Sequence, residues 1–151
     1  MKSLIIFATA FGNTEKVAQA IGKTLEARGE TRVVNIQDVK PELLEGIDLL
    51  LVGSPTQSMS PMPAIKNWLK KLPKDSLSGK RVTAFDTRVS SGTPSKFMEK
   101  FGFAAQKISS ELVKKGGSLA GEPGGFNVEA QKGPLRTGEL ERAAAWAKEL
   151  T

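Results

Sequence analysis

Thr9-Ala10-Phe11-Gly12-Asn13-Thr14 is the stretch of this chain whose residue types and spacing point most directly to chemistry. It joins an apolar run of strand length, Leu4 to Ala8, to a segment in which Val17, Ala18, Ile21 and Leu25 recur at helical spacing. Two hydroxyls, one amide and a glycine therefore stand where a strand turns sharply into a helix. The first free N–H groups of that helix and the positive end of its dipole make an anion site, and Gly12 lets the backbone close round it. A phosphate fits such a loop. The same residues also have a plainer use, with Asn13 or Thr14 capping the helix and Gly12 making the turn. No lysine follows the glycine, so this is not a Walker-type nucleotide loop, and the glycine spacing of a dinucleotide fingerprint is absent.

The rest of the composition limits what such a site can do. The 151 residues include no cysteine, no histidine and no tyrosine. Thiol catalysis, histidine acid–base chemistry and ordinary zinc or haem ligation are excluded, and any redox chemistry is borrowed from a cofactor. The length suits one domain spanning residues 1–151. The chain begins directly with a strand and has no apolar run of membrane-spanning length, so the expectation is a cytoplasmic protein without a membrane partner. Lys and Arg outnumber Asp and Glu by 22 to 16, a formal +6 that favours acidic partners. The cations read as scattered pairs at element ends, Lys70-Lys71, Lys80-Arg81 and Lys114-Lys115, without interleaved aromatics. That argues against nucleic acid and suggests mostly solvated surface.

The elements that must position the loop follow in order. The first helix runs to about Arg28, and a strand Arg32 to Ile36 and a helical turn Pro41 to Leu44 come next. Asp48 to Val52 is the most apolar segment, as central parallel strands are. Pro63 starts a helix with Ile65, Trp68, Leu69 and Leu72 on one face. Arg81 to Phe85 is a strand that leads into a loop, Asp86 to Pro94. A short helix around Phe97 to Phe101, a longer one from about Phe103 to Lys115, a glycine-broken strand within 118–128 and a final helix capped by Thr137 complete the chain. Alternating strands and helices give an α/β three-layer sandwich around a five-stranded parallel sheet. Ligands bind such sheets at the carboxyl ends of the strands, by the topological switch point, and for the order 2-1-3-4-5 three loops converge there: 9–14, 54–63 and 86–94.

The first loop resembles the phosphate loop of flavodoxins, Thr/Ser-x-Thr-Gly-x-Thr, through Thr9, Gly12 and Thr14, with Asn13 a common choice and Phe11 in place of the middle threonine. Gly53-Ser54-Pro55-Thr56 resembles the second flavodoxin loop, and resembles still more closely the Gly-Ser-Pro-Thr of flavodoxin-like quinone reductases. The resemblance covers the whole chain in length, element order and loop placement. It implies the flavodoxin-like fold, FMN as cofactor and electron transfer as function. It also implies cofactor-binding roles for Thr9, Ala10, Phe11, Gly12, Asn13 and Thr14 at the phosphate. Pro55, Thr56, Gln57, Ser58 and Met59, together with Asp86, Thr87 and Arg88, would approach the ring. Arg88 near the flavin edge would stabilise the anionic reduced ring, and the plainer expectation is a surface ion pair between Asp86 and Arg88. Gly133-Pro134-Leu135 and Gly138 to Ala143 resemble a subgroup of the same family.

Two departures accompany the resemblance. Flavodoxins sandwich the ring between a tryptophan after the second-loop threonine and a tyrosine in the third loop. Here Gln57 holds the first place and only Ser90, Ser91 and Gly92 stand near the second, while Trp68 and Trp146 read as core. Weaker or more exposed flavin binding is expected. Shuttle flavodoxins are also acidic, whereas a chain at +6 suits an acidic redox partner protein or a quinone-like small molecule. The alternatives are an FMN-dependent NAD(P)H:quinone-type reductase and a binding module of the same fold that has lost flavin. No side chain is expected to act as an acid or base, and no metal is expected.

Overall fold

A computed structural model describes residues 1–89 and 94–151. Strands β1 (Ser3–Phe7), β2 (Thr31–Asn35), β3 (Leu49–Pro55) and β4 (Arg81–Val89) pair in parallel in the order β2-β1-β3-β4. The fifth place is shared by β5 (Ser118–Leu119), beside the start of β4, and β6 (Gly124–Val128), beside its end. The glycine-broken strand is thus two strands, with Ala120 to Pro123 between them. Helices α1 (Asn13–Leu25) and α5 (Glu139–Lys148) cover one face of the sheet, and α2 (Pro63–Lys71) and α4 (Ala104–Lys114), with the short α3 (Lys96–Phe101), stand on the other. Among the described residues no helix is long and apolar enough to cross a membrane.

Period-2 alternation builds both faces from the same strands. Leu4, Ile6, Leu50, Val52, Val82 and Ala84 pack toward α2 and α4, whereas Ile5, Phe7, Leu49, Leu51 and Phe85 pack toward α1 and α5. Trp68 packs on the first cluster and Trp146 on the second, where it meets Phe85 and Phe126 edge to face. Gly53, opposite Phe85 in the register, is required by close approach: a Cβ there would lie 2.2 Å from the Phe85 ring.

Several boundaries differ from the sequence reading: α1 ends at Leu25, with a 3-10 turn carrying the chain to Arg28, and β2 lies one residue earlier, Thr31–Asn35 instead of Arg32 to Ile36. β3 continues to Pro55 and β4 to Val89, because Ser54, Pro55 and Asp86 to Val89 all keep ladder partners. Asp86 to Val89 is therefore strand, not loop. The residue before α5 is Gly138, in the left-handed region at φ 88°, and Thr137 does not cap the helix.

Candidate functional site

The loop 9–14 closes by a hydrogen bond from the Gly12 N–H to Thr9 Oγ1 at 2.8 Å. Gly12 takes φ 91°, which favours glycine, and no side chain caps α1 behind it. Asn13 and Thr14 are buried but do not cap: Asn13 Nδ2 donates to the Lys132 carbonyl at 3.3 Å, and Thr14 Oγ1 meets Thr87 Oγ1 at 2.8 Å. At the same end of the sheet, α4 is satisfied differently. The Ala104 N–H donates to Thr56 Oγ1 and the Ala105 N–H to the Asp86 carboxylate, both at 2.9 Å. One helix end is thus closed by neighbouring side chains, and the first turn of α1 is left open.

Beyond β3, Gln57 and Ser60 exchange N–H···O bonds at 2.8 and 3.0 Å around Ser58 and Met59. Both central residues have positive φ, 49° and 65°, as a type I′ hairpin demands, though neither is glycine. L-residues in that region are strained by about 1–2 kcal/mol each. Met59→Gly should therefore stabilise the fold by about 1 kcal/mol after the added flexibility of the unfolded chain is subtracted. Thermal melts read this as a rise of several degrees, and an unchanged or lower midpoint contradicts it.

The alternation of β4 separates Asp86, Thr87 and Arg88. Thr87 shares the face of Phe85 and reaches α1, whereas Asp86 and Arg88 share the face of Val82 and Ala84 and meet the start of α4. Arg88 Nε and Nη2 donate to Asp86 Oδ1 and Oδ2 at 2.7 and 2.8 Å, and the guanidinium lies 3.5 Å from the centre of the Phe103 ring. This is not a surface ion pair: Asp86 is fully buried. Burial pushes the Asp86 carboxyl up from its ordinary range, against the Arg88 hydrogen bonds and charge, which pull it down.

A cavity of about 590 Å³ opens where these segments meet, within the usual range for small-molecule sites. Thr9, Ala10, Phe11, Asn13 and Thr14 line it from the first loop, Pro55, Thr56, Gln57 and Ser58 from the end of β3 and the turn after it, and Thr87 from β4, beside Thr14. Met59, Asp86 and Arg88 do not line it, and Gly12 shapes the loop without doing so. Val89, Val128 and Gln131 complete the lining. The last two come from a fourth segment, anchored by the Asn13 bond to Lys132, that the three-loop reading missed. The Gly133-Pro134 turn was its sequence signal. Phe11 is the one aromatic lining residue among those described, and it is half exposed, with Lys132 Nζ 5.9 Å from its ring. Ser90, Ser91 and Gly92 lie outside the described residues.

A family model described as flavodoxin matches residues 5–146. The chain belongs to the flavodoxin family. A flavodoxin from Clostridium saccharobutylicum is 28% identical over 89 residues, which cover 58% of this chain. One from a Picosynechococcus strain is also 28% identical, over 109 residues and 70% of this chain. The matched stretches span 56% and 63% of those two relatives' own lengths. Oxidised flavodoxin 1 from Bacillus cereus has the same fold, with a TM-score of 0.78 at 21% identity over 99% of this chain and 96% of that one.

Flavodoxins bind FMN, and the residues of this flavodoxin's cavity suit it. The uncapped first turn of α1 and the hydroxyls of Thr9 and Thr14 are donors of the kind a phosphate needs, and the left-handed Gly12, its own N–H held by Thr9, shapes the turn beside them. Pro55, Val89 and Val128 offer apolar surface suited to a ring, and Thr56, Gln57 and Ser58 belong to the same lining.

Proposed function

We propose that this flavodoxin binds FMN non-covalently in the 590 Å³ cavity and passes electrons through it. The observation that carries the reading is the contrast between two helix ends at one edge of the sheet. Side chains occupy the first N–H groups of α4, and none caps α1. Thr9 to Thr14 hold the phosphate, and Pro55 to Ser58, with Thr87, Val89 and Val128, border the ring. When bound, the flavin supplies the redox chemistry, while the chain orients it and sets how much of it water reaches. Met59 supports the turn from outside the cavity. The complete lack of cysteine suits a reducing compartment, and the cytoplasm is the proposed location.

The half-exposed Phe11, the sole aromatic of the lining among the described residues, favours a second reading. An uncovered ring face admits a small acceptor, as an NAD(P)H:quinone-type reductase requires. One titration followed by one mixing experiment tests both readings. Flavin fluorescence should quench on binding FMN and respond far less to riboflavin, which lacks the phosphate. Absence of FMN binding at high micromolar concentration overturns both and leaves the fold working without flavin. Bleaching of the loaded protein by NAD(P)H alone selects the reductase, and its absence selects the carrier.

A further inference from the structure

A second cavity, of about 510 Å³, lies between α2 and α4 with α3 at one end. Lys66 and Lys70 of α2, Lys100 of α3, and Lys107 and Lys114 of α4 line it, against one carboxylate, Glu111. Two thirds of the chain's formal +6 is therefore concentrated in this groove. Along the sequence these lysines are spread from position 66 to position 114, which is why the charge reads as scattered; the packing of three helices gathers it.

The fold does not neutralise this charge. Glu111 pairs with Lys114 at 3.2 Å, and the Lys107 ammonium donates to the Met59 carbonyl. Among the described residues no carboxylate pairs with Lys66, Lys70, Lys100 or Lys107. Lys66 and Lys70 stand four apart on one helix face, where like charges repel. Among the lysines the lining offers Pro61, Leu69 and the Phe101 ring as apolar surface, beside the polar Ser60, Gln106 and Ser110. At the α3 end Phe97 and Phe101 are 61% and 48% exposed, with ring centres 5.3 Å apart. Solvent-exposed aromatics rimmed by cations are the composition of a docking surface.

The groove adjoins the first cavity. Ser60 and Pro61 line the groove and Gln57 and Ser58 line the other cavity, from opposite sides of one tight turn whose Met59 carbonyl Lys107 holds.

We propose that this groove docks an acidic protein, whose carboxylates meet Lys66, Lys70, Lys100 and Lys107 while an apolar side chain packs on Phe97 and Phe101. The claim that this protein is the redox partner rests on the FMN reading; the docking does not. Protein is favoured over nucleic acid because no arginine lines the groove to grip phosphate bidentately. The two rings also pack against each other at 48° instead of standing apart as a platform for bases.

The test uses FMN-treated protein and a fluorescein-labelled peptide of glutamate and aspartate around a central leucine, read by anisotropy at low and high salt. Lys66→Glu/Lys70→Glu should weaken the peptide at least about tenfold, and Phe101→Ala several-fold. Lys23→Glu/Lys148→Glu, with the same change in net charge on the α1 and α5 side, should leave it unchanged. Equal weakening by both double variants means that only net charge counts, and overturns the proposal. So does wild-type affinity in Lys66→Glu/Lys70→Glu, or a single-stranded oligonucleotide that displaces the peptide and is lost in that variant. Peptide binding by a protein that takes no FMN keeps the docking site and overturns the flavin reading alone.

Discussion

Arg88→Leu is expected to cost about 3–5 kcal/mol of folding stability although Arg88 lies off the cavity. Its guanidinium makes two hydrogen bonds to the fully buried Asp86 carboxylate, and only N–H and O–H donors, with no second charge, remain once it is gone. The loss is most of what a marginally stable domain has. Its pH dependence identifies the cause. Burial already holds the Asp86 carboxyl above its ordinary value of 3.8, and removing Arg88 removes the main influence opposing that rise. Between the unfolded and the raised folded value the native state binds more protons than the unfolded chain, so stability falls as pH rises through that window. The variant should therefore lose less at pH 5 than at pH 8 in urea melts. Asp86→Asn/Arg88→Leu, with no charge left to strand, should recover more than half of the loss. A single variant within about 1 kcal/mol of wild type at pH 8, or a double variant no better than the single, contradicts the charge-pair account.

The same pair shows how far the sequence could be read. The parallel sheet and the loop 9–14 were legible because they rest on local signals, an apolar run meeting a helical period with glycine between, whereas the strand order came with the resemblance to flavodoxins. Residues 86–88 were not, since they hang on where a strand ends. With β4 ending at Phe85, all three belong to a loop free to face a ligand. With β4 reaching Val89, alternation sends Thr87 to α1 and turns Asp86 and Arg88 to α4. What lengthens the strand is its partner β6, forty residues on, whose glycines hide its strand character: a Cβ at Gly125 would lie 2.2 Å from the Arg88 guanidinium. The lysine groove was illegible for the same reason. Its charges come from three helices, and only tertiary packing makes them neighbours.

Thr9→Asp should lower FMN affinity more than about 100-fold while sparing the fold. Thr9 Oγ1 accepts the Gly12 N–H at 2.8 Å, a bond an aspartate carboxylate makes equally well, and a negative charge beside the open end of α1 is favourable there. Stability should stay within about 0.5 kcal/mol of wild type. A phosphate held by the same loop would meet that carboxylate at close range. At a separation of about 6 Å and an effective dielectric constant of about 20, two unit charges repel by roughly 3 kcal/mol, and a dianion by more. Riboflavin carries the same ring without the phosphate and should bind Thr9→Asp as it binds the wild type. Thr9→Asn, neutral and nearly the same shape, should keep both flavins. Equal loss of FMN and riboflavin in Thr9→Asp would mean that the loop was distorted, and unchanged FMN affinity would mean that the phosphate lies elsewhere. Since Asp and Asn differ at position 9 almost only in charge, the ratio between those two variants measures the charge of the group that the open end of α1 holds.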